Sequence, residues 1–340
     1  MERARLHGLD IARFLAFVGM VIVNFRVVMG AEGGAFDLLN GKAAASFVIL
    51  AGLGIGLSRA APTLMWRRAG FLFVLGMINS MIFPADIIHF YAIYFALAAF
   101  VLNWSARALL WLAAAVVILG AAAVITLDYD AGWDWKTLDY HDFWTAGGFL
   151  RNLFLNGWHP VFPWIGFLFI GMAFARMQLQ SGMVQGTMFF GGLLLLLNAS
   201  LLSGFIIRAS GDAELAQILG TAPIPPMPLF MAAGTGAGMM LIGGCLWLAP
   251  KMGAITAALT APGRQTLTLY VADIVIGMGA MEALGLIGAG THKQALIWSG
   301  AFCFASLIFA NIWARRFGIG PLEYLMRRST GTGNNSRKAL

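Results

Sequence analysis

Residues 6–25 read LHGLDIARFLAFVGMVIVNF. Two charges, Asp10 and Arg13, stand at the start of this stretch and an amide, Asn24, stands near its end. Every side chain between Arg13 and Asn24 is apolar. Continued to residue 30, the run has the roughly 20 residues that a helix needs to cross a hydrocarbon layer about 30 Å thick. Basic residues precede it, but polar side chains punctuate it and no small-residue cleavage site follows. It therefore reads as a first membrane span rather than a cleaved leader.

The whole chain has the same character. Of its 340 residues 60% are hydrophobic and 11% are charged, and the mean hydropathy is +0.80. A soluble domain carries about 25% charged residues to solvate its surface. Most of this surface must face something other than water. That excludes a cytosolic enzyme, a nucleic-acid module, a disulfide scaffold and a disordered chain. Apolar runs bounded by charge, Pro or polar clusters lie near 11–30, 42–58, 69–84, 88–104, 107–127, 160–176, 184–207, 228–249, 266–288 and 294–314. The predicted fold is an all-α polytopic membrane protein of about ten transmembrane helices. It forms one domain over 1–328, followed by a disordered tail at 329–340.

Orientation follows from the basic residues. With both termini cytoplasmic, about 16 of the 22 Lys and Arg fall on inner segments, as the positive-inside rule requires. The net charge of +7 then reports topology, and no nucleic-acid partner is expected. The acidic residues lie mostly outside. The longest polar stretch, 128–158, becomes an outer loop rich in Asp and Trp, and a second outer loop at 209–228 is acidic and then Pro-rich. Cys245 and Cys303 sit in apolar runs and read as small packing residues.

Ionisable residues inside spans are costly and point to function. Asp10 and Arg13 lie at the inner start of the first span. Asn24 follows Arg13 by eleven residues, about 16 Å along a helix. Arg13 either snorkels to headgroups or serves a site, and Asn24 either bonds a neighbouring helix or serves the same site. Asp273 sits eight residues into the ninth span and must be paired or line a polar cavity, with Arg13 as the expected partner. The Gly52/Gly54/Gly56 and Gly234/Gly236/Gly238 clusters lack a preceding strand and read as close helix packing.

In NSMIFPADIIHFYAIYF (79–95) a proline is followed by Asp86, His89, Tyr91 and Tyr94. Asp86 and His89 are spaced i, i+3 and share a helical face. A carboxylate there orients an imidazole for general-base work, or else caps a helix in an interfacial belt. His159, between Trp158 and Pro160, opens the sixth span and is expected to share a cavity with His89. No HxH or HxxxH spacing supports a metal site, and no metal is expected.

Several blocks, in order, resemble one family. GLDIARFLAFVGMVIVNF resembles the LDxxRGxAxxxMxxxN helix of the transmembrane acyltransferase superfamily. NGKAAASFVILAGLGIGL resembles its second helix and PADIIHFYAI its GDILxxYA segment. PGRQTLTLYVADIVI is similar to GRMALTNYLLQ, and RRFGIGPLEYLMRRST to the closing FxxGPxEWLWR. HPVFPWIGFLFIGMAFAR is similar to a YPxxPWxGxxxxGxxxGR span. The resemblance is closest to the heparan-alpha-glucosaminide N-acetyltransferase-like and YeiB-like membrane proteins.

That resemblance implies an integral membrane acyltransferase in a bacterial inner membrane. It implies an acyl-CoA donor, acetyl-CoA above all, on the cytoplasmic side. The acceptor would be a hydroxyl or amine of an exported glycan, lipid or small molecule at the outer face. Membrane lipid is the other partner, and a homo-oligomer is left open. Asp10, Arg13, Arg264, Tyr270 and Asp273 are assigned to the donor, and Pro321 and Glu323 match the closing motif. The acetyltransferase branch places its catalytic His eleven residues beyond the position of Asn24. Here that position is Ala35, with no His nearby. His89 with Asp86 is the first replacement base and His159 the second, with Asn24 or Tyr91 stabilising the oxyanion. Two other classes fit the same composition. One is a transporter whose charges are Asp273 and Arg13, and the other is a non-catalytic membrane partner protein.

Overall fold

The computed structural model describes residues 5–31, 33–58 and 60–331. Arg3, Arg59 and residues 332–340 of the expected tail lie outside the described residues. The first three residues of that tail close the last helix, where Thr330 donates its backbone N–H to the Met326 carbonyl.

The fold is all-α. In chain order the helices are α1 (His7–Val28), α2 (Lys42–Ser58), α3 (Pro62–Ser80), α4 (Ile88–Ala98), α5 (Ala106–Thr126), α6 (Ala146–Arg151) and α7 (Val161–Phe174). They continue with α8 (Gly182–Ser210), α9 (Ala213–Ile218), α10 (Pro228–Leu248), α11 (Ala254–Gly263), α12 (Thr266–Ala272), α13 (Gly279–Ala283), α14 (His292–Phe317) and α15 (Pro321–Ser329). Two short strands, β1 (Trp133–Asp134) and β2 (Asp139–Tyr140), pair antiparallel in the 128–158 loop.

Seven helical segments are long and apolar enough to cross a membrane, and an eighth appears if the bent pair Ala146–Asn156 and Val161–Phe174 is one broken span. Each of the ten runs read from the sequence contains a helix. Two of those helices fall outside the eight. α4 has 11 residues, and α3 carries Arg67 and Arg68 in its second turn.

The long helices are built inside out. On α5 the buried residues are Leu109, Ala113, Val116 and Gly120, one stripe at helical spacing. Trp111, Ile118, Leu119 and Ile125 point away from the protein, with Trp111 72% exposed. On α14 the buried stripe is Ala295, Ser299, Cys303, Ser306 and Ala310, and the exposed residues include Phe304 and Ile312. Small residues face protein and large apolar ones face outward, which is stable only where the surroundings are hydrocarbon. The protein is an integral membrane protein.

The chain forms two compact units. One comprises Met1–Leu50, Gln178–Gly192 and Ala237–Leu340, and the other Ala51–Met177 and Leu193–Gly236. In the first, α1 packs against α11, α12 and α14. A Cβ on Gly263 would collide with the Asp10 backbone, so a glycine there sets how closely α11 approaches α1. In the second, α3 packs along α4, and α5 and α4 pack against α7.

Candidate functional site

The second unit holds the carboxylate–imidazole pair. After α3 the chain turns through Pro84, and Asp86 lies just ahead of α4. Its Oδ2 accepts the backbone N–H of Ile88 at 2.8 Å and of His89 at 3.2 Å. These are two of the donors that every helix start leaves unpaired. Asp86 therefore caps α4, and the same oxygen also lies 3.3 Å from His89 Nδ1. One carboxylate oxygen thus serves the start of α4 and touches the imidazole. Its other oxygen accepts from Asn79 Nδ2 at 2.6 Å.

Ser80 bears on the histidine tautomer. Its hydroxyl donates to the Gly76 carbonyl at 2.8 Å and lies 3.1 Å from His89 Nδ1. A hydroxyl has one proton. With that proton given to Gly76, the contacts to Ser80 and Asp86 suit a ring that carries a proton on Nδ1. In the neutral ring of that tautomer the lone pair lies on Nε2, which is buried and without a hydrogen-bond partner among the described residues. Phe90, Phe143 and Phe149 surround the ring. Gly76 makes this packing possible, because a Cβ there would strike the His89 backbone nitrogen.

His159 lies against the opposite neighbours of the same aromatic cluster. Its ring meets Trp164 at 4.6 Å and Phe90 at 6.0 Å between centroids, and its carbonyl accepts from the Tyr94 hydroxyl at 2.6 Å. No carboxylate pairs with it among the described residues, so it lacks the orienting group that His89 has. Tyr91 is buried on α4.

A cavity of about 250 Å³ opens within this unit, lined by Ser80, Trp133, Tyr140, Trp144, Asn152 and Trp158 among others. The sequence places His89 and His159 in one cavity. Here neither lines it, and they meet instead at Phe90, while Ser80 and Trp158 next to them form its wall. The loop around it is held by Arg151, which donates to both Asp142 oxygens at 2.6 Å and to the Tyr140 hydroxyl at 2.8 Å. Burial raises the Tyr140 phenol above its ordinary value, and the guanidinium opposes that rise.

The first unit holds the remaining candidates at two levels of α1. At its start Asp10, 4% exposed, accepts from Arg5 at 2.9 and 3.1 Å and from Arg13 at 2.8 Å. Two cations on one carboxylate leave the cluster net positive. Arg264 feels both Arg5 and Asp10. A cavity of about 410 Å³ adjoins Arg5, His7, Gln180 and Gln185.

At the second level, Asn24 Nδ2 donates to Asp273 Oδ2 at 3.0 Å. This corrects the expected Arg13–Asp273 pair. Arg13 and Asp10 are one helical turn apart and satisfy each other, while Asp273 arrives eleven residues further along α1. It opens a π-helical turn, Asp273–Met278, between α12 and α13, a feature frequent at functional positions. Tyr270 is buried one turn earlier.

Sequence reasoning missed Asn79 and Ser80, which hold Asp86 and His89. Their only signal was a polar pair closing an apolar run. It also missed the Arg26–Asp37 ion pair at 2.7 Å, with Arg26 2% exposed. Ala35, the position without its His, opens the 3-10 turn Ala35–Leu39 that carries Asp37.

Two family models match the chain. The family model described as heparan-alpha-glucosaminide N-acetyltransferase, catalytic, matches residues 5–196, more than half of the chain. A second, described as protein of unknown function (DUF418), matches residues 164–332. No curated protein and no solved structure matches the chain. The first match supports membrane acetyl transfer as the class of activity. Matched from residue 5 to residue 196, the chain belongs to the heparan-alpha-glucosaminide N-acetyltransferase catalytic family.

Proposed function

We propose that the protein transfers an acetyl group from acetyl-CoA, taken up at the cytoplasmic face of a bacterial inner membrane, to a hydroxyl or amine at the outer face. The observation that carries this reading is the buried Asp86–His89 pair with His89 Nε2 free, in a chain whose family acetylates an amino sugar by its printed name.

His89 is the general base. Asp86 fixes the tautomer and supports the imidazolium that forms. Nε2 removes the acceptor proton as the acceptor oxygen or nitrogen bonds to the thioester carbonyl carbon. The carbon–sulfur bond then breaks, and the departing thiolate takes that proton to leave as the thiol of CoA. The acceptor enters through the aromatic cavity beside Ser80, where Trp133, Tyr140, Trp144 and Trp158 offer flat apolar faces and Asn152 a polar edge. A sugar ring has both kinds of surface. The donor's phosphates belong with Arg5, Arg13 and Arg264, where the net positive charge lies.

The test is consumption of acetyl-CoA by the purified protein in liposomes, with glucosamine as the acceptor probe. Acetylated glucosamine is expected from the wild type and not from His89→Ala. Accumulation of glucosamine in the liposomes with acetyl-CoA left intact would replace this reading with that of a transporter.

A further inference from the structure

Two asparagines bound the π-helical turn Asn152–Asn156, and the fold uses them in opposite ways. Asn156 has no exposed surface and spends its whole side chain on the loop before it. Its Nδ2 donates to the Tyr129 and Ala131 carbonyls at 2.8 and 2.9 Å, and its Oδ1 accepts from the Tyr140 hydroxyl at 2.9 Å. Asn152 is 4% exposed, and its carboxamide has no hydrogen-bond partner among the described residues. A Cβ on Gly157 would strike both the backbone carbonyl and the carboxamide of Asn152, so the glycine leaves this side chain its place. A buried amide without a partner costs stability. It is explained where something outside the chain satisfies it.

Asn152 lines the aromatic cavity of about 250 Å³ together with Trp133, Tyr140, Trp144 and Trp158. That volume lies just below the roughly 300–1,000 Å³ of sites for drug-sized ligands, which suits a single ring. The aromatic walls offer flat apolar faces, and the carboxamide offers two donors and an acceptor. Adjacent ring hydroxyls are its complement, since one accepts from the N–H while its neighbour donates to Oδ1. Charge narrows the class further. Asp139 is among the lining residues and no Lys or Arg is. The nearby Arg151 is spent on Asp142, the Tyr140 hydroxyl and the Ala131 carbonyl. An acidic ligand would meet a carboxylate and no counter-charge.

We propose that Asn152 is the specificity-determining residue of this cavity. Its carboxamide hydrogen-bonds a pair of adjacent ring hydroxyls, and the cavity takes an uncharged or amine-bearing sugar ring while rejecting acidic ones such as uronates and sugar phosphates. This rests on the reading above that the cavity receives the acceptor, and it names the class of acceptor.

Quenching of tryptophan fluorescence in the full-length protein tests it, with methyl glucoside and glucuronate as probes and acetyl-CoA left out. The glucoside is expected to quench saturably, and glucuronate to bind about tenfold more weakly or worse. Asn152→Leu should weaken glucoside binding about tenfold or more. Its unfolding temperature should stay level or rise, because an apolar side chain of similar volume replaces an unsatisfied amide. Asn156→Leu, which breaks three bonds, should lower that temperature instead. Asp139→Asn should narrow the gap between the two probes. The proposal is overturned if the glucoside does not bind saturably, if glucuronate binds as well, or if the gap is unchanged in Asp139→Asn. It is overturned too if Asn152→Leu binds like the wild type, or if it unfolds like Asn156→Leu, which would make the carboxamide structural. Acetyl transfer to glucosamine without glucoside binding sinks this proposal and leaves the acetyl-transfer reading standing. Glucoside binding that depends on Asn152, with no transfer, does the reverse.

Discussion

Asn24 and Asp273, 249 residues apart, meet at 3.0 Å through the amide nitrogen of one and a carboxylate oxygen of the other. The contact ties the far half of α1 to the π-helical turn after α12, and it is the polar bond holding Asp273 in its buried place. Asn24→Ala removes that donor and leaves a buried carboxyl group unsatisfied. The expected cost is about 1–3 kcal/mol of stability, read as a lower unfolding temperature in detergent. Arg13→Ala should leave that temperature closer to wild type, since Arg13 is partly exposed and, among the described residues, is bonded to Asp10 alone.

His89 and Asp86 should be separable in their effects. His89→Ala is expected to lower the turnover of acetyl transfer by about 10²- to 10⁴-fold, read on the folded fraction, because loss of a buried, bonded ring also lowers stability. Asp86→Asn keeps an oxygen for the α4 N–H groups but loses the charge that fixes the imidazole tautomer. It should lower turnover while the protein still folds. Asp86→Ala strips the acceptor from Asn79 and from the start of α4 together, so it should lose both activity and stability. Turnover and melting temperature measured on the three variants check the order.

Gly76 is expected to be intolerant. An alanine there must displace the His89 backbone, and overpacking of this kind costs about 1–3 kcal/mol. The Gly70→Ala control lies on the same helix with open space around its Cβ position and should be neutral or slightly stabilising. Thermal unfolding of the two variants gives the comparison directly.

Some of this was legible from sequence and some was not, for physical reasons. Composition identifies a membrane protein, because hydrocarbon demands apolar surface everywhere. The i, i+3 spacing of Asp86 and His89 brings them together, because local geometry fixes such neighbours. Arg13 and Asp10 are one turn apart for the same reason, but the sequence paired Arg13 with Asp273. That choice followed charge alone, and only the tertiary packing of α12 on α1 tells which level of α1 the carboxylate reaches. Asn79 and Ser80 escaped notice because their partners lie across a turn around Pro84. The span count differs because a short helix such as α4 is as apolar as a long one, and composition does not measure length once a chain bends.

Glu323 gives a pH dependence. Its carboxylate accepts from the Leu267 N–H at 2.8 Å, the Thr268 N–H at 3.2 Å and the Thr268 hydroxyl at 2.6 Å, docking α15 onto the start of α12. Burial nevertheless holds its carboxyl above the ordinary value. The folded chain therefore binds this proton more tightly than the unfolded chain. Its contribution is fully present below the unfolded value and is lost as pH rises through the folded one. Stability should fall slightly over that interval, and Glu323→Gln should flatten the change. Melting temperatures across mildly acid to neutral pH, wild type against variant, check the sign.

The central claim is that this membrane protein moves an acetyl group with His89 as the base. The most direct measurement places purified wild type and His89→Ala in liposomes with labelled acetyl-CoA and glucosamine and counts the label transferred. Transfer by the wild type, with a loss of about 100-fold or more in His89→Ala, is the expected result. No transfer by a folded wild type, or equal transfer by His89→Ala, would contradict it.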